Sequence, residues 1–169
     1  MWRIKLLRHI GKVFVILGIL LCFYPNIRKD CLEVGEVIGR LEIPTINLSL
    51  PIYEGTSEKI LESGVGHVSE TDLPGKETGH CILAGHRGLP RADLFLYLDQ
   101  LEIGDKFYIT MQEQILVYKV CDIRVIKPEE TSRFYTASDK DLVSLVTCTP
   151  YGINTHRLVV TGERWVEEK

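Results

Sequence analysis

The sequence predicts a mostly-β domain, a closed barrel or a sandwich that carries one or two short helices. Three observations point there. From residue 37 onward, Val, Ile, Tyr and Phe recur in runs of strand length. Gly and Pro punctuate those runs at short intervals. No internal repeat or low-complexity tract replaces the pattern. Periodicity alone does not choose between barrel and sandwich.

The elements follow in chain order. VIGRLEI and LSLPIYEG read as two strands, separated around Pro44, Thr45 and Asn47. GVGHV reads as a Gly-punctuated turn or short helix. HCILAGH is a compact apolar strand that ends at Gly85 and His86. In PRADLFLYLDQL, Leu94, Leu98 and Leu101 fall at helical spacing, which predicts a helix or helical turn. KFYITM, ILVYKVCDIRVI, SLVTCT and HRLVVTGERW complete the strand set. Lys119 falls on the mostly apolar phase of residues 115–126, the mark of a bulge or an edge strand.

A chain of 169 residues is long enough for one domain with a real core and short for two. Hydrophobic content of 45% and charged content of 25% are those of a folded globular chain. The net charge of −3 hides an asymmetry. Residues 1–29 hold six basic residues and no acidic one, so the remainder carries a net −9. That acidic balance argues against nucleic-acid binding, which needs clustered Lys and Arg.

The basic start has another explanation. WRIKLLRHIGK precedes the apolar run VFVILGILLCFY, and Lys12 is the single charge between Ile10 and Ile27. That span sits at the low end of the roughly 17–25 residues a transmembrane helix needs. A cleaved signal peptide requires a small-residue cleavage site, and Leu21-Cys22-Phe23-Tyr24 offers none. The preferred reading is a signal anchor with its positive end in the cytoplasm. The chain then divides into residues 1–29, a basic leader and transmembrane anchor, 30–36, a short linker, and 37–169, an exported domain. The expected location is the cell membrane, single-pass, with the domain extracellular.

Five cysteines form no disulfide framework, and no C-x-x-C pair suggests zinc. Cys81 and Cys121 lie inside predicted strands, where a buried free thiol is the ordinary outcome. Cys148 ends a strand, between Thr147 and Thr149, with Pro150 stopping the run. Acyl transfer by a thiol needs a nucleophile, a proton donor for the leaving amine, and a positive or hydrogen-bonding group for the oxyanion. Cys148 offers the first. Among five histidines, His86 ranks first for the second, because the strand should end at Gly85 and leave the ring at a cleft. Arginine suits the third, with fixed and always-charged donors. Arg157 and His156 would point to opposite faces of a strand, so only one of them can face such a cleft with Cys148.

TCTPYGINTHRLVV, together with AGHRGLPRADLF upstream, closely resembles the sortases, the cysteine transpeptidases of Gram-positive cell surfaces. The pilus-building class C group is the nearest match, and the resemblance covers roughly residues 37–165 with motif order and spacing preserved. It implies the eight-stranded sortase β-barrel. It makes Cys148 the nucleophile, His86 the acid and base, and Arg157 the donor to the substrate carbonyl or oxyanion. The implied reaction cleaves an LPXTG-like sorting signal between Thr and Gly and transfers the acyl group from a thioester to an amine. For class C that amine is a pilin lysine. No metal or cofactor is implied. Partners are surface proteins or pilins bearing a sorting signal, with a pilin lysine or a peptidoglycan amine as acceptor. Leu89, Thr147, Thr149 and Tyr151 are candidate substrate-binding residues, although threonines suit strands and leucines suit cores in any case. Arg87 is expected to be solvated, and Glu163 with Arg164 to form a surface pair of little energetic weight.

Two departures from the class C pattern stand out. DCLEVGEV, residues 30–37, contains no Asp-Pro-aromatic lid motif, and the chain ends at GERWVEEK without a C-terminal membrane helix. A class D-like or housekeeping sortase that anchors proteins to peptidoglycan is therefore an alternative, as is a non-catalytic peptide-binding barrel.

Overall fold

The computed structural model describes residues 35–135 and 138–167. The predicted leader and membrane anchor lie outside the described residues. Among the described residues, no helix is long and apolar enough to cross a membrane.

Eight strands close into a barrel, which decides between the two architectures the sequence left open. They are β1 (Val37–Ile43), β2 (Leu48–Glu54), β3 (Val65–His67), β4 (Gly79–Ala84), β5 (Lys106–Met111), β6 (Gln114–Ile126), β7 (Asp141–Thr149) and β8 (His156–Arg164). Around the barrel the order is β1-β2-β3-β4-β7-β8-β6-β5, and β5 closes on β1. The pairs β2/β3 and β4/β7 are parallel and the others antiparallel. The ladder reaches back past β1, since Gly35 donates to the Glu54 carbonyl at 2.8 Å.

Alternation along each strand fills the interior. Leu41, Ile43, Ile52, Cys81, Leu83, Phe107, Ile109, Tyr118, Val143, Leu145, Leu158 and Val160 form the core. Phe107 and Tyr118 stack with centroids 5.5 Å apart. The register of β6 against β8 shifts between Val120 and Asp122, so the irregularity around Lys119 marks a bulge. The bulge moves the inward phase from Leu116, Tyr118 and Val120 to Ile123. The β5–β6 hairpin turns on Gln112 and Glu113, both with positive φ, as a two-residue hairpin of matching twist demands.

One predicted element differs in the structure, and another takes the turn of its two readings. GVGHV is neither turn nor helix: Val65–His67 forms β3. A glycine is needed there because a Cβ at residue 66 would lie 2.4 Å from the Gly55 carbonyl oxygen. The short helix stands just before it, α1 (Glu58–Ser63), and provides the crossover between parallel β2 and β3. The run PRADLFLYLDQL is a packed loop with a 3-10 turn at Leu98–Gln100. Leu94, Leu98 and Leu101 do enter the core, as the spacing suggested, but Phe95 enters beside them. The positive φ of Leu94 breaks any continuous helix.

Candidate active site

The barrel brings four strand ends together. Because β4 and β7 run parallel, their C-terminal ends share one end of the barrel. Strand β8 runs antiparallel to β7, so it begins there, and β6 finishes there against β8. Cys148 on β7 is the direct cross-strand partner of Arg157 on β8, and Ile126 on β6 pairs with Arg157 from the other side. Directly opposed residues present their side chains to the same face. Their neighbours Thr147 and Leu158 are buried toward the core, so Cys148 and Arg157 face outward. Both are half-buried, as groups lining a groove should be. His156 pairs with Thr149 and lies on the opposite phase.

His86 joins this row through β4. The β4/β7 register ends at Ala84 opposite Val146. Gly85 extends the ladder by donating to the Val146 carbonyl at 3.0 Å. The next residue, His86, therefore emerges level with the end of β7. Two contacts set its backbone. The Thr147 hydroxyl donates to the Gly85 carbonyl at 2.8 Å. Residue 85 itself is pressed against Phe95, where a Cβ would lie 2.8 Å from the ring. The imidazole Nε2 lies 3.2 Å from Glu58 Oε1 on α1. Glu58 is 75% exposed, so this contact orients the ring and adds little stability.

Arg157 is held by the β7–β8 loop. Its Nη1 donates to the carbonyls of Asn154, at 3.2 Å, and His156, at 2.9 Å. The loop is itself folded on Pro150, whose carbonyl accepts from Ile153 and Asn154. The arrangement sets a thiol beside a fixed guanidinium, with an imidazole on the adjoining strand end.

The substrate-binding candidates divide. Tyr151, 61% exposed, stands on the loop that follows Cys148. Thr149 is half-buried at the end of β7. Leu89 is half-buried in a small bridge with Ala92. Thr147 is 2% exposed and its hydroxyl donates to the Gly85 carbonyl, so its side chain supports the site from beneath.

Arg87 is a correction. It is 7% exposed, and its guanidinium lies among loop and strand carbonyls. The strand phase that sends Cys81 and Leu83 inward continues to residue 87, and that was the available signal. Glu163 pairs with Lys140 at 2.9 Å, not with Arg164, whose guanidinium lies over the Tyr118 ring.

A family model for the sortase domain matches residues 41–165. The chain belongs to the sortase family. Sortase D of Bacillus subtilis (strain 168) is 33% identical over 135 residues, spanning 78% of this chain and 66% of that protein. Sortase A of Bacillus anthracis is 34% identical over 140 residues, spanning 82% of this chain and 64% of that protein. The chain thus spans a little under two thirds of the length of these curated relatives. Among solved structures, Clostridium perfringens sortase C with the C-terminal cell wall sorting motif is 47% identical, with a TM-score of 0.76, covering 81% of this sortase and 75% of that chain. The lid mutant of Streptococcus agalactiae sortase C1 is 46% identical, with a TM-score of 0.76, covering 81% and 72%.

Proposed function

We propose that this sortase is a class C-type cysteine transpeptidase that acts on an LPXTG-like sorting signal. The observation that carries the reading is the row Ile126–Arg157–Cys148, with His86 at the adjoining end of β4. The Cys148 thiolate attacks the Thr carbonyl carbon of the Thr–Gly bond. Arg157 donates to the oxygen as it gains charge. The C–N bond then breaks, and His86 as imidazolium gives its proton to the departing glycine amine. A thioester on Cys148 remains. An incoming amine attacks the thioester carbonyl and loses its proton to His86. The new amide forms as the thiolate leaves. No step needs a metal or cofactor.

The acceptor is a pilin lysine in this reading, and the product is an isopeptide-linked pilus. Identity of 43–47% to sortases C of three species in two genera supports it. Cys148, His86 and Arg157 carry the chemistry, and Leu89, Thr149 and Tyr151 border the bound peptide. The domain works outside the cell, held to the membrane by the apolar run within residues 1–29. A second reading, peptidoglycan anchoring, is favoured by the relation to sortase D and sortase A. Competition decides between them. The protein is given a sorting-signal peptide with equal amounts of a pilin-lysine peptide and a cell-wall-stem amine. The first reading predicts lysine adducts in excess, and an excess of stem-amine adducts overturns it.

A further inference from the structure

Arg87 follows the proposed catalytic histidine, and its guanidinium has three partners in two separate segments. Nε donates to the Leu96 carbonyl at 3.1 Å. Nη2 pairs with Asp99 Oδ2 at 2.7 Å. Nη1 donates to the Cys148 carbonyl at 3.4 Å, the longest of the three. The first two partners belong to the 89–101 loop, and the third is the backbone of the proposed nucleophile.

A guanidinium withdrawn from water is costly unless its donors are met. Here the planar fork meets acceptors in three directions, which a lysine ammonium on a flexible stem does not reproduce. Asp99 is 56% exposed, so its carboxylate closes the arrangement from the solvent side. Loop anchoring alone would be served by Leu96 and Asp99. The third bond crosses to the penultimate residue of β7. The main chain of residue 87 is one bond from His86, and its side chain reaches the carbonyl of Cys148.

We propose that Arg87 is a positioning residue for acyl transfer, locking the end of β4, the end of β7 and the 89–101 loop into one unit. This rests on the reading of Cys148 and His86 as the reacting pair. Arg87 touches no reacting atom. It fixes the separation of imidazole and sulfur, and a displacement of about 1 Å there costs on the order of 100-fold in rate.

The test uses Arg87→Lys and Asp99→Asn in the full chain, with two readouts. Steady-state kinetics on a sorting-signal peptide should show kcat falling roughly 10- to 100-fold in Arg87→Lys, with KM within about twofold. Asp99→Asn should lose less in the same direction. Amide hydrogen exchange should quicken in residues 146–149 and 96–101 together, while the Tyr118 and Asp141 end of the barrel keeps its protection. Unchanged exchange at 146–149 overturns the proposal, as does a raised KM with kcat intact, the signature of a merely loosened loop. If Arg87→Lys does not fold, Asp99→Asn decides by the same criteria. Full turnover by Cys148→Ala would instead sink the reading of the reacting pair, and hydrogen exchange would still decide the link.

Discussion

Cys148 and Arg157 are directly opposed across the β7/β8 ladder and share the outer face of the barrel wall. That single pairing places a thiol and a permanent cation side by side on neighbouring strands. A slip of one residue in the register would turn one of them into the core. The other parts of the site are arranged around this pair: His86 by the parallel β4/β7 ladder, and the guanidinium by carbonyls of the β7–β8 loop.

Arg157 should act mainly in the transition state. In the proposed mechanism, replacing it with alanine removes the donors that meet the growing oxyanion charge. Loss of one such group costs on the order of 100- to 1,000-fold in kcat. Steady-state kinetics on a sorting-signal peptide should show that loss with KM little changed. Arg157→Lys should recover only part, since one ammonium does not replace a fork held by two carbonyls.

Gly85→Ala should damage stability and turnover together. The added methyl meets the Phe95 ring at a distance no real Cβ tolerates. Relief requires Phe95 or the end of β4 to move. The expected cost is about 1–3 kcal/mol in urea unfolding. Turnover should fall further than stability explains, because His86 moves with the backbone. A variant of wild-type stability and activity would show that Phe95 yields freely.

Asp141 should give the domain a component of stability that weakens as pH rises. Its carboxyl accepts from the Tyr118 hydroxyl at 2.9 Å at the far end of the barrel. Burial raises its pKa, against the lowering effects of that bond, the Gly75 amide and the Arg164 charge. The folded state therefore holds this proton more tightly than the unfolded chain. The contribution is complete below the ordinary aspartate range and is lost as pH rises through the raised value. Asp141→Asn should lack this component. Urea unfolding at about pH 4 and about pH 7 should show the variant gaining on the wild type at the higher pH.

Cys121 should react slowly with iodoacetamide at neutral pH although the residue is exposed. Burial of the thiol raises its pKa, and the nearby charges of Glu163 and Asp122 raise it further. The sulfur also donates to the Thr161 carbonyl at 3.4 Å. Peptide mapping of partly alkylated protein should find Cys148 modified well before Cys121. Equal labelling would contradict this.

Much of this was legible in the sequence, and the failures have physical causes. Strands showed themselves through Val, Ile and aromatic content, because strand residues fit a pleated, half-buried surface. The opposite-face argument for His156 and Arg157 needed only alternation, and the register bears it out. β3 was hidden because its three residues include Gly66, whose role is close approach of another backbone. The helical spacing in residues 89–101 left helix and helical turn both open, and the structure takes the turn, because the leucines need only reach the core at intervals. Arg87 was misread because charge suggests water, while its true partners are carbonyls that converge only in the folded barrel. The partner of the Thr147 hydroxyl, the carbonyl of Gly85, lies 62 positions away and could not be read from the local sequence.

The central claim is that the sulfur of residue 148 carries the acyl group. The protein is incubated with a sorting-signal peptide without acceptor amine, quenched in acid, digested and examined by mass spectrometry. The account predicts a peptide containing Cys148 that is heavier by the acyl fragment ending in Thr, absent in Cys148→Ala and discharged by hydroxylamine. Release of the glycine fragment at the full rate by Cys148→Ala, or an acyl group found on any other residue, would contradict it.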